Sequence, residues 1–461
     1  TRLLAIGPFG TKLLSFFLVP LYTYVLSTAE YGTYDLMNTT VSLLVPILSL
    51  NICDSALRFP LDKDVDRKQV FSICCLHMFA SVLLGGILIG LNYCFDVISI
   101  VNDYPVLFLL LFASNAISGF LNCFVRGIDK VKEVAISGVL SSAVMIALNL
   151  LFLLPLHMGL LGFFLATIIG SFSQSIYLFM AIKGWKYFQI TSRDKQLHQE
   201  MVNYSQPLIL NNISWWVNGV SNRYIITWFC GIAANGIYSV SYKIPSILVM
   251  FQGIFSQAWT MSAVQGYDKD DKNGFFTRMY QSYNLCMVLV CSVLIMLSRV
   301  MAKVLYANDF YNAWKYVPFL LIASVFGALS GYVGGIFAAT KDTKIFAKTS
   351  IMGAVSNLLL TFVLVWKFGV MGAAIASPVS YGLIWYLRIK SVNKYMNMKI
   401  NLFKDVFGYL ILCIQAVLLF IFPDNILFFI LQLLAIVVLL LLNKELLSIV
   451  MNKITNKFLK R

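Results

Sequence analysis

Charged residues are scarce in this chain. Only 12% of its 461 residues are Asp, Glu, Lys or Arg, whereas 59% are apolar, and the mean hydropathy is +0.81. Soluble domains usually carry about 25% charged residues, so an ordinary soluble fold is excluded. The connections between apolar stretches are at most about 20 residues long, too short for a catalytic domain of the usual size. The sequence therefore predicts a protein embedded in a membrane.

The common catalytic and metal-binding motifs are also missing. The three histidines, His77, His157 and His198, are scattered in a way that suits neither a metal site nor a catalytic triad. There is no phosphate-binding Gly-Lys-Ser/Thr loop, so direct use of ATP is not expected. The nine cysteines include no CxxC pair and lie mostly inside apolar segments, as small core residues do. We expect no cofactor, no metal and no disulfide framework.

Positive charge exceeds negative charge, with 35 Lys and Arg against 20 Asp and Glu and a net charge of +15. These cations are dispersed among many short loops instead of clustering on one face, so nucleic-acid binding is not expected. In membrane proteins, Lys and Arg accumulate on the cytoplasmic side. We therefore attribute the excess of Lys and Arg to the orientation of the chain in the membrane.

What the chain does contain is a series of apolar stretches of about 20 residues, long enough to cross a bilayer as helices. We predict an all-α polytopic membrane protein with about 14 transmembrane helices. The predicted spans are 3–26, 34–59, 70–95, 105–126, 134–156, 159–182, 203–229, 236–262, 279–305, 314–340, 345–366, 370–390, 406–422 and 426–443.

The loops alternate in charge. The even-numbered connections are basic, beginning with Lys63, Arg67 and Lys68, whereas the odd-numbered ones are acidic or nearly neutral, with Lys367 as the main exception. This alternation predicts that both termini are cytoplasmic and favours fourteen spans over thirteen.

Short sequence matches recur at an offset of a little over 200 residues. Six spans, an even number, separate the copies, which predicts a parallel repeat of the kind found in secondary transporters. We predict two six-helix lobes, 1–195 and 196–400, and an appended helix pair with a basic tail, 401–461. The matches pair Ala29-x-x-Gly32-x-Tyr34 with Ala233-x-x-Gly236-x-Tyr238, Gly159-x-x-Gly162-x-x-x-Ala166 with Gly369-x-x-Gly372-x-x-x-Ala376, and Asn149-Leu150-Leu151 with Asn357-Leu358-Leu359.

The stretch 211–263 is the candidate functional region. It is expected to form two apolar helices, the first carrying Arg223 and the second carrying Lys243. Charges at membrane depth are costly and usually face a wet cavity or a partner. The stretch contains no acidic residue, the nearest being Asp268. Two cations without a nearby counter-charge predict an anion-binding site.

Lys12 and Arg58 are two further cations inside predicted spans. Together with Arg223 and Lys243 they lie at several depths in the membrane and come from both lobes. Such an arrangement can bind a phosphate group once it leaves water. Other readings stay open. Arg58 follows Asp54 at the spacing of an intrahelical ion pair. Arg223 is close enough to the end of its span for its side chain to reach the membrane–water interface. Lys12 can anchor the chain on the cytoplasmic side of the membrane.

Amides and tryptophans accompany these cations. Asn218 and Asn222 recur at helical spacing, which predicts either sugar contacts or helix–helix hydrogen bonds. Trp215 and Trp216 lie beside them at mid-span, where they can stack on sugar rings. The same role was considered for Trp228 and Trp259, and for Trp228 we favour the interfacial aromatic belt.

Several segments resemble a known family. They are Phe9-Gly10-Thr11-Lys12, Leu26-Ser27-Thr28-Ala29-Glu30-Tyr31-Gly32-Thr33-Tyr34-Asp35, Asp54-Ser55-Ala56-Leu57-Arg58-Phe59, Asn222-Arg223-Tyr224, Gly236-Ile237-Tyr238 and Tyr242-Lys243-Ile244-Pro245. Over roughly 1–400 the chain resembles the polysaccharide flippases of the multidrug/oligosaccharidyl-lipid/polysaccharide exporter superfamily. The resemblance implies a V-shaped bundle that opens to one side at a time.

The resemblance also implies a function. We expect a non-enzymatic flippase that moves polyprenyl-pyrophosphate-linked oligosaccharide across the bacterial cytoplasmic membrane for O-antigen, capsule or teichoic acid assembly. Expected partners are that lipid-linked substrate, membrane lipids and polysaccharide assembly proteins. Coupling to a Na⁺ or H⁺ gradient is a further expectation, with Asp35 and Asp54 as candidate ion-binding residues.

Three alternatives are weighed against this function. A multidrug exporter of the same superfamily would favour acidic cavity residues for cationic drugs, whereas this sequence offers cations. A membrane-embedded polymerase or ligase would need a long outward loop, and the outward loops here are only about ten residues long. A scaffold without transport gives no reason for intramembrane cations.

Overall fold

The computed structural model describes residues 16–62, 64–96, 98–189, 194–340, 343–422 and 425–444. Every regular element in these ranges is a helix, which confirms the predicted all-α membrane fold. The first half contains α1 (Val19–Val25), α2 (Thr28–Leu48), α3 (Ile52–Arg58), α4 (Arg67–Phe95), α5 (Ser99–Asp103), α6 (Pro105–Gly127), α7 (Val131–Leu153), α8 (Gly159–Ile182) and α9 (Lys195–Cys230).

The second half continues with helices of similar length. They are α10 (Ile232–Ser241), α11 (Ser246–Gln265), α12 (Phe275–Leu305), α13 (Val317–Ala339), α14 (Thr343–Phe368), α15 (Val370–Val392), α16 (Leu402–Ile421) and α17 (Ile426–Leu442). Short 3₁₀ segments lie at Phe59–Leu61, Gly184–Lys186 and Asn308–Lys315.

Among the described residues, nine helices are long and apolar enough to cross a bilayer, and α2 with Ile52–Leu61 makes a tenth span bent by 67°. The other predicted spans also coincide with helices, but with less regular ones. The seventh is the long, amide-rich α9, the eighth is broken into α10 and α11, and the fourteenth is the 17-residue α17. The first lies largely outside the described residues.

Local signals in the sequence explain where several helices begin. Ser27 caps α2 by accepting from the Glu30 N–H, while the Glu30 carboxylate accepts from the Ser27 N–H. This reciprocal capping box satisfies two backbone donors that a helix N-terminus otherwise leaves free. Asn401 and Asn425 cap α16 and α17 in a similar way, each accepting from a backbone N–H three residues on.

The helices form two compact units. The first comprises the chain up to Tyr224 together with Ile232–Gly236, and the second comprises Ile225–Gly231 and the chain from Ile237 onward. In the first unit, α6 packs against α2, α3, α4, α7 and α8, and its aromatic side chains fill the core. In the second, α13 packs against α11, α12, α14, α15 and α16. Helix packing divides the chain near Tyr224, whereas the sequence repeat divides it after residue 195. The lobe boundaries inferred from the repeat therefore stay predictions.

The first unit contains a close crossing of two repeat motifs. A Cβ on Gly32 of α2 would lie 2.2 Å from the Ile232 carbonyl oxygen, and one on Gly236 of α10 would lie 1.9 Å from the Thr28 carbonyl oxygen. The two glycines therefore allow backbone-to-backbone contact between α2 and α10. Asn235 reinforces the crossing through its amide, which donates to the Gly32 carbonyl at 3.4 Å.

Candidate functional site

An ion pair joins α9 to α2 within the first unit. Arg223 Nε lies 3.1 Å from Asp35 Oδ2, and the two side chains are only 15% and 14% exposed. The prediction that Arg223 lacks an acidic partner is therefore wrong. The partner was missed because it comes from another helix, far away in the sequence. Arg223 and the candidate ion-binding residue Asp35 form one charge-balanced element.

Polar contacts fix α9 against α2 beside this pair. The hydroxyls of Tyr224 and Thr40 lie 2.6 Å apart, and the Trp216 indole donates to the Thr39 carbonyl at 2.9 Å. The Trp216 ring also packs on Tyr224, with centroids 5.4 Å apart. Trp216 thus has a structural contact in addition to the sugar contact predicted for it.

A second polar cluster lies at the break between α2 and α3. Leu50 and Asn51 both adopt positive φ there, 51° and 53°. The Asn51 amide donates to Asp54 Oδ2 at 2.6 Å, and its oxygen accepts from Asn212 Nδ2 at 3.1 Å. The candidate ion-binding residue Asp54 therefore lies beside a broken helix, the kind of place where transporters hold coupling ions.

Arg58 does not pair with Asp54. Its Nη1 lies 2.7 Å from Asp62 Oδ1, and both side chains are about half exposed, at 48% and 49%. The alternative ion pair with Asp54 is therefore wrong, because Asp54 is bound to Asn51. Lys12 lies outside the described residues.

Lys243 belongs to the second unit and lies in a break between two helices. The eighth predicted span is interrupted after Ser241 and resumes at Ser246, so the prediction of one continuous helix there is wrong. Pro245 explains the interruption, since proline cannot donate to a preceding helical turn. Ser246 Oγ donates to the Lys243 carbonyl at 2.5 Å. The Lys243 side chain is half-buried and forms no ion pair with the described residues of its unit.

The remaining predicted contacts on α9 differ in exposure. Asn218 and Asn222 are buried, at 6% and 2% exposure, whereas Trp215 is 46% exposed. Their roles toward a sugar stay predictions. Trp259 is buried in the second unit, where its indole donates to the Tyr332 carbonyl at 2.8 Å and its ring stacks on Tyr332 at 4.1 Å. These contacts occupy Trp259 in the core, so the sugar-stacking role considered for it is wrong.

One buried cation of the second unit was missed in the sequence. Arg388 on α15 is 2% exposed and donates to Thr349 Oγ1, the Ser330 carbonyl and Ser350 Oγ at 2.8 to 3.1 Å. Its guanidinium carbon also lies 4.2 Å from the centroid of the Phe346 ring. The alternation of loop charges counts Arg388 among the basic residues of the cytoplasmic connection that follows the twelfth span. Residue 388 lies inside the predicted twelfth span, and this position was the feature of the sequence that could have indicated a buried cation.

Comparison with known proteins gives the family. The family described as "Polysaccharide biosynthesis protein" matches residues 1–264, more than half of the chain. The putative O-antigen transporter of Shigella dysenteriae is 20% identical over 82% of this chain and 96% of its own length. The probable low-salt glycan biosynthesis flippase Agl15 of Haloferax volcanii is 19% identical over 44% of this chain. Rat multidrug and toxin extrusion protein 1 is 24% identical over 51%.

The matched regions cover less than half of the Haloferax and rat relatives, 43% and 44% of their lengths. Among solved structures, the lipid II flippase MurJ in an inward closed conformation aligns with a TM-score of 0.70 and 16% identity, covering 99% of this chain and 100% of that one. An inward-facing multidrug resistance MATE family transporter aligns with a TM-score of 0.67 and 13% identity, covering 84% and 95%. At such identities these likenesses establish the fold alone. The family match over residues 1–264 goes further, and by it the chain belongs to the polysaccharide biosynthesis protein family.

Proposed function

We propose that this protein is a flippase that moves polyprenyl-diphosphate-linked oligosaccharide across the bacterial cytoplasmic membrane for surface polysaccharide assembly. The family match supports this proposal, as do the names of the Shigella and Haloferax relatives. The transported lipid carries a diphosphate, which needs cationic partners once it leaves water. The protein acts as a transporter and not as an enzyme.

The observation that carries the proposal is the position of Lys243 in a helix break. Discontinuous helices form the substrate sites of many secondary transporters, because the interrupted backbone offers free polar groups at membrane depth. The N–H groups of Ser246, Ile247 and Val249 at the start of α11 already donate to the carbonyls of Tyr242, Ile244 and Pro245. The group of this break that would bind a phosphate is therefore the Lys243 ammonium.

The ion pair in the first unit supplies a second element of the proposed mechanism. While Asp35 is ionised, it neutralises Arg223. Protonation of Asp35, or binding of Na⁺ to it, would weaken this attraction and leave Arg223 available to the diphosphate. Asp35 is accordingly our preferred coupling residue, and Asp54 beside the broken α2–α3 segment is the second candidate. Arg58 and Lys12 would bind the head group earlier, at the cytoplasmic entrance.

The amide-rich face of α9 suits the sugar part of the substrate. Trp215 is exposed enough to stack on a sugar ring, and Asn218 and Asn222 lie one and two turns farther along the same helix. The polyprenyl tail stays in the bilayer while the head group crosses. Alternating access, in which the bundle opens to one side at a time, completes the cycle.

Substitution of Lys243 tests the proposal directly. We expect Lys243→Ala to reduce flipping of a fluorescent polyprenyl-diphosphate oligosaccharide in proteoliposomes at least tenfold, because a charge-assisted phosphate contact is lost. Lys243→Arg keeps the charge and should retain most activity. Lys404→Ala, at a lysine in the first turn of α16 that is half-buried as Lys243 is, is a matched control for loss of a lysine. Undiminished flipping by Lys243→Ala at equal reconstitution would contradict the proposal.

A second candidate function is export of cationic drugs, favoured by the similarity to rat multidrug and toxin extrusion protein 1. Efflux of a cationic dye from cells that express the protein separates the two functions. An exporter would lower dye accumulation, and Asp35→Asn would abolish this effect. A flippase would leave dye accumulation unchanged and would restore surface polymer in a strain lacking its own flippase.

A further inference from the structure

The first unit carries an apolar groove of about 360 Å³ between α4, α6 and α8. That volume falls in the range of small-molecule sites. Its lining contains no charged side chain and is dominated by large apolar ones, including Phe71, Met78, Phe79, Ile117, Phe120 and Phe179. The groove is partly open, since Phe79 is 65% exposed while Phe71 and Phe120 are buried. Its occupant must therefore be hydrocarbon.

The length of the groove matches one leaflet of a bilayer. On α4 the lining runs from Phe71 to Val82, which corresponds to about 16 Å along the helix axis. On α6 it runs from Ala113 to Leu121 in the opposite direction, since Phe120 packs on Phe71. Half of the hydrocarbon thickness of a bilayer is about 15 Å. The groove thus has the length of a single acyl chain in its own leaflet.

A short connecting segment lies at one end of this groove. Phe71 comes one turn after the start of α4, and Phe179 comes one turn before the end of α8. Beyond Phe179, the Trp185 ring packs edge-on against it at 6.1 Å, and the Tyr187 ring lies 6.0 Å from Phe71. Ser72 fixes the segment on α4, because its hydroxyl accepts from the Gln189 N–H at 2.9 Å.

Several exposed cations lie at this end of the groove, beside the exposed Asp64 and Asp66. Lys183 and Lys186 flank Trp185 and are exposed, and the segment from Lys183 to Gln189 contains no acidic residue. Arg67 and Lys68 at the start of α4 add two more exposed cations. The neighbouring Asp66 is engaged in capping α4, where it accepts from the Lys68 N–H at 2.9 Å. Basic pockets beside transmembrane helices are typical sites for anionic lipid head groups.

We propose that the groove binds one anionic glycerophospholipid of the surrounding leaflet, with an acyl chain between α4, α6 and α8 and its phosphate at Lys183 and Lys186. Two independent features support this ligand. The groove is apolar and as long as one leaflet is thick, and a cluster of cations lies at its end. The site differs from the one proposed for transport, so it does not depend on the flippase function. Its role is to hold α4, α6 and α8 against one another in an anionic membrane.

Native mass spectrometry of the full chain released from nanodiscs tests this site. The nanodiscs contain equal amounts of phosphatidylglycerol and phosphatidylcholine. We expect one phosphatidylglycerol to remain bound to the wild-type protein. Ala113→Phe fills the groove and should abolish retention, while Lys183→Gln with Lys186→Gln should lower it about thirtyfold, since the two cations together contribute about 2 kcal/mol near anionic lipid.

Two matched controls should behave as the wild type. Val139→Phe enlarges a 48% exposed position of α7 outside the groove, and Lys390→Gln with Lys394→Gln removes two exposed lysines of the second unit. The double lysine variant changes only surface residues, so it keeps the test valid if Ala113→Phe fails to fold.

Three results would overturn the proposal. One is equal retention of phosphatidylcholine, which would remove the role of the cations. Another is unchanged retention by both the groove-filling and the double lysine variants. The third is displacement of phosphatidylglycerol by an equimolar polyprenyl phosphate, which would identify the polyprenyl tail as the occupant.

Discussion

Each unit of this protein contains an arginine that is largely shielded from solvent, and these two arginines are stabilised in different ways. In the first unit, Arg223 pairs with the carboxylate of Asp35 on another helix. In the second, Arg388 has no carboxylate within ion-pair distance among the described residues of its unit. Its guanidinium is held by two hydroxyls, one backbone carbonyl and the face of Phe346. In the first unit a carboxylate neutralises the arginine, whereas in the second unit neutral oxygen acceptors and an aromatic ring stabilise it.

The sequence repeat sharpens this difference. At the offset that relates Gly159 to Gly369, Arg388 corresponds to Leu178, which is fully buried among apolar residues. The second unit therefore has a buried cation where the first has a leucine, and it also carries Lys243. The two repeats therefore differ in the charge that they bury at this position.

The largest effect should come from breaking the ion pair in the first unit. Asp35→Asn removes the carboxylate that lies 3.1 Å from the largely desolvated Arg223 guanidinium, which we expect to cost about 3 kcal/mol of stability. Thermal unfolding in detergent, followed by intrinsic fluorescence, measures this as a lowered melting temperature. In a double-mutant cycle, Asp35→Asn combined with Arg223→Gln should recover at least half of the loss. If the two substitutions are additive, the pair makes no net contribution.

A smaller effect is expected where the repeat motifs cross within the first unit. A methyl group at Gly236 would meet the Thr28 carbonyl, which is backbone and cannot move aside cheaply. Overpacking of this kind costs about 2 kcal/mol, so Gly236→Ala should lower the melting temperature. Gly219→Ala is the matched control, because nothing lies within 4 Å of its Cβ and alanine favours a helix interior. Equal behaviour of both variants would contradict the close crossing.

These two sites show what the sequence could and could not predict. Helix number and position follow from the length of apolar stretches, so the fold class and nearly every span were predictable. The glycines of the crossing were visible as a repeat, but their contact was not, because spacing along the chain does not say which helices touch. The sequence identifies Asp35 and Arg223 separately as candidate residues. Their pairing was missed because α2 and α9 meet only in three dimensions.

The helix breaks were missed for a related reason. Hydropathy reports whether a segment is apolar, not whether its backbone hydrogen bonds continue. Pro245 marks the break near Lys243, but the apolar run continues on both sides of it, so hydropathy predicts one helix there. At the other break, the positive φ values of Leu50 and Asn51 follow Pro46 by a turn. In both cases a polar side chain, Lys243 or Asn51, lies at the interruption.

The smallest effect is expected for the buried arginine of the second unit. Arg388→Met replaces the cation with an apolar side chain of similar length, and such replacements at neutral sites are often nearly free of cost. Thr349 and Ser350 keep their hydroxyl bonds to the Ile345 and Phe346 carbonyls, so few polar groups lose a partner. We expect a change in stability within about 1 kcal/mol, against about 3 kcal/mol for Asp35→Asn in the same unfolding assay. A loss as large as that of Asp35→Asn would show that Arg388 is balanced by a charge after all and would erase the contrast between the units.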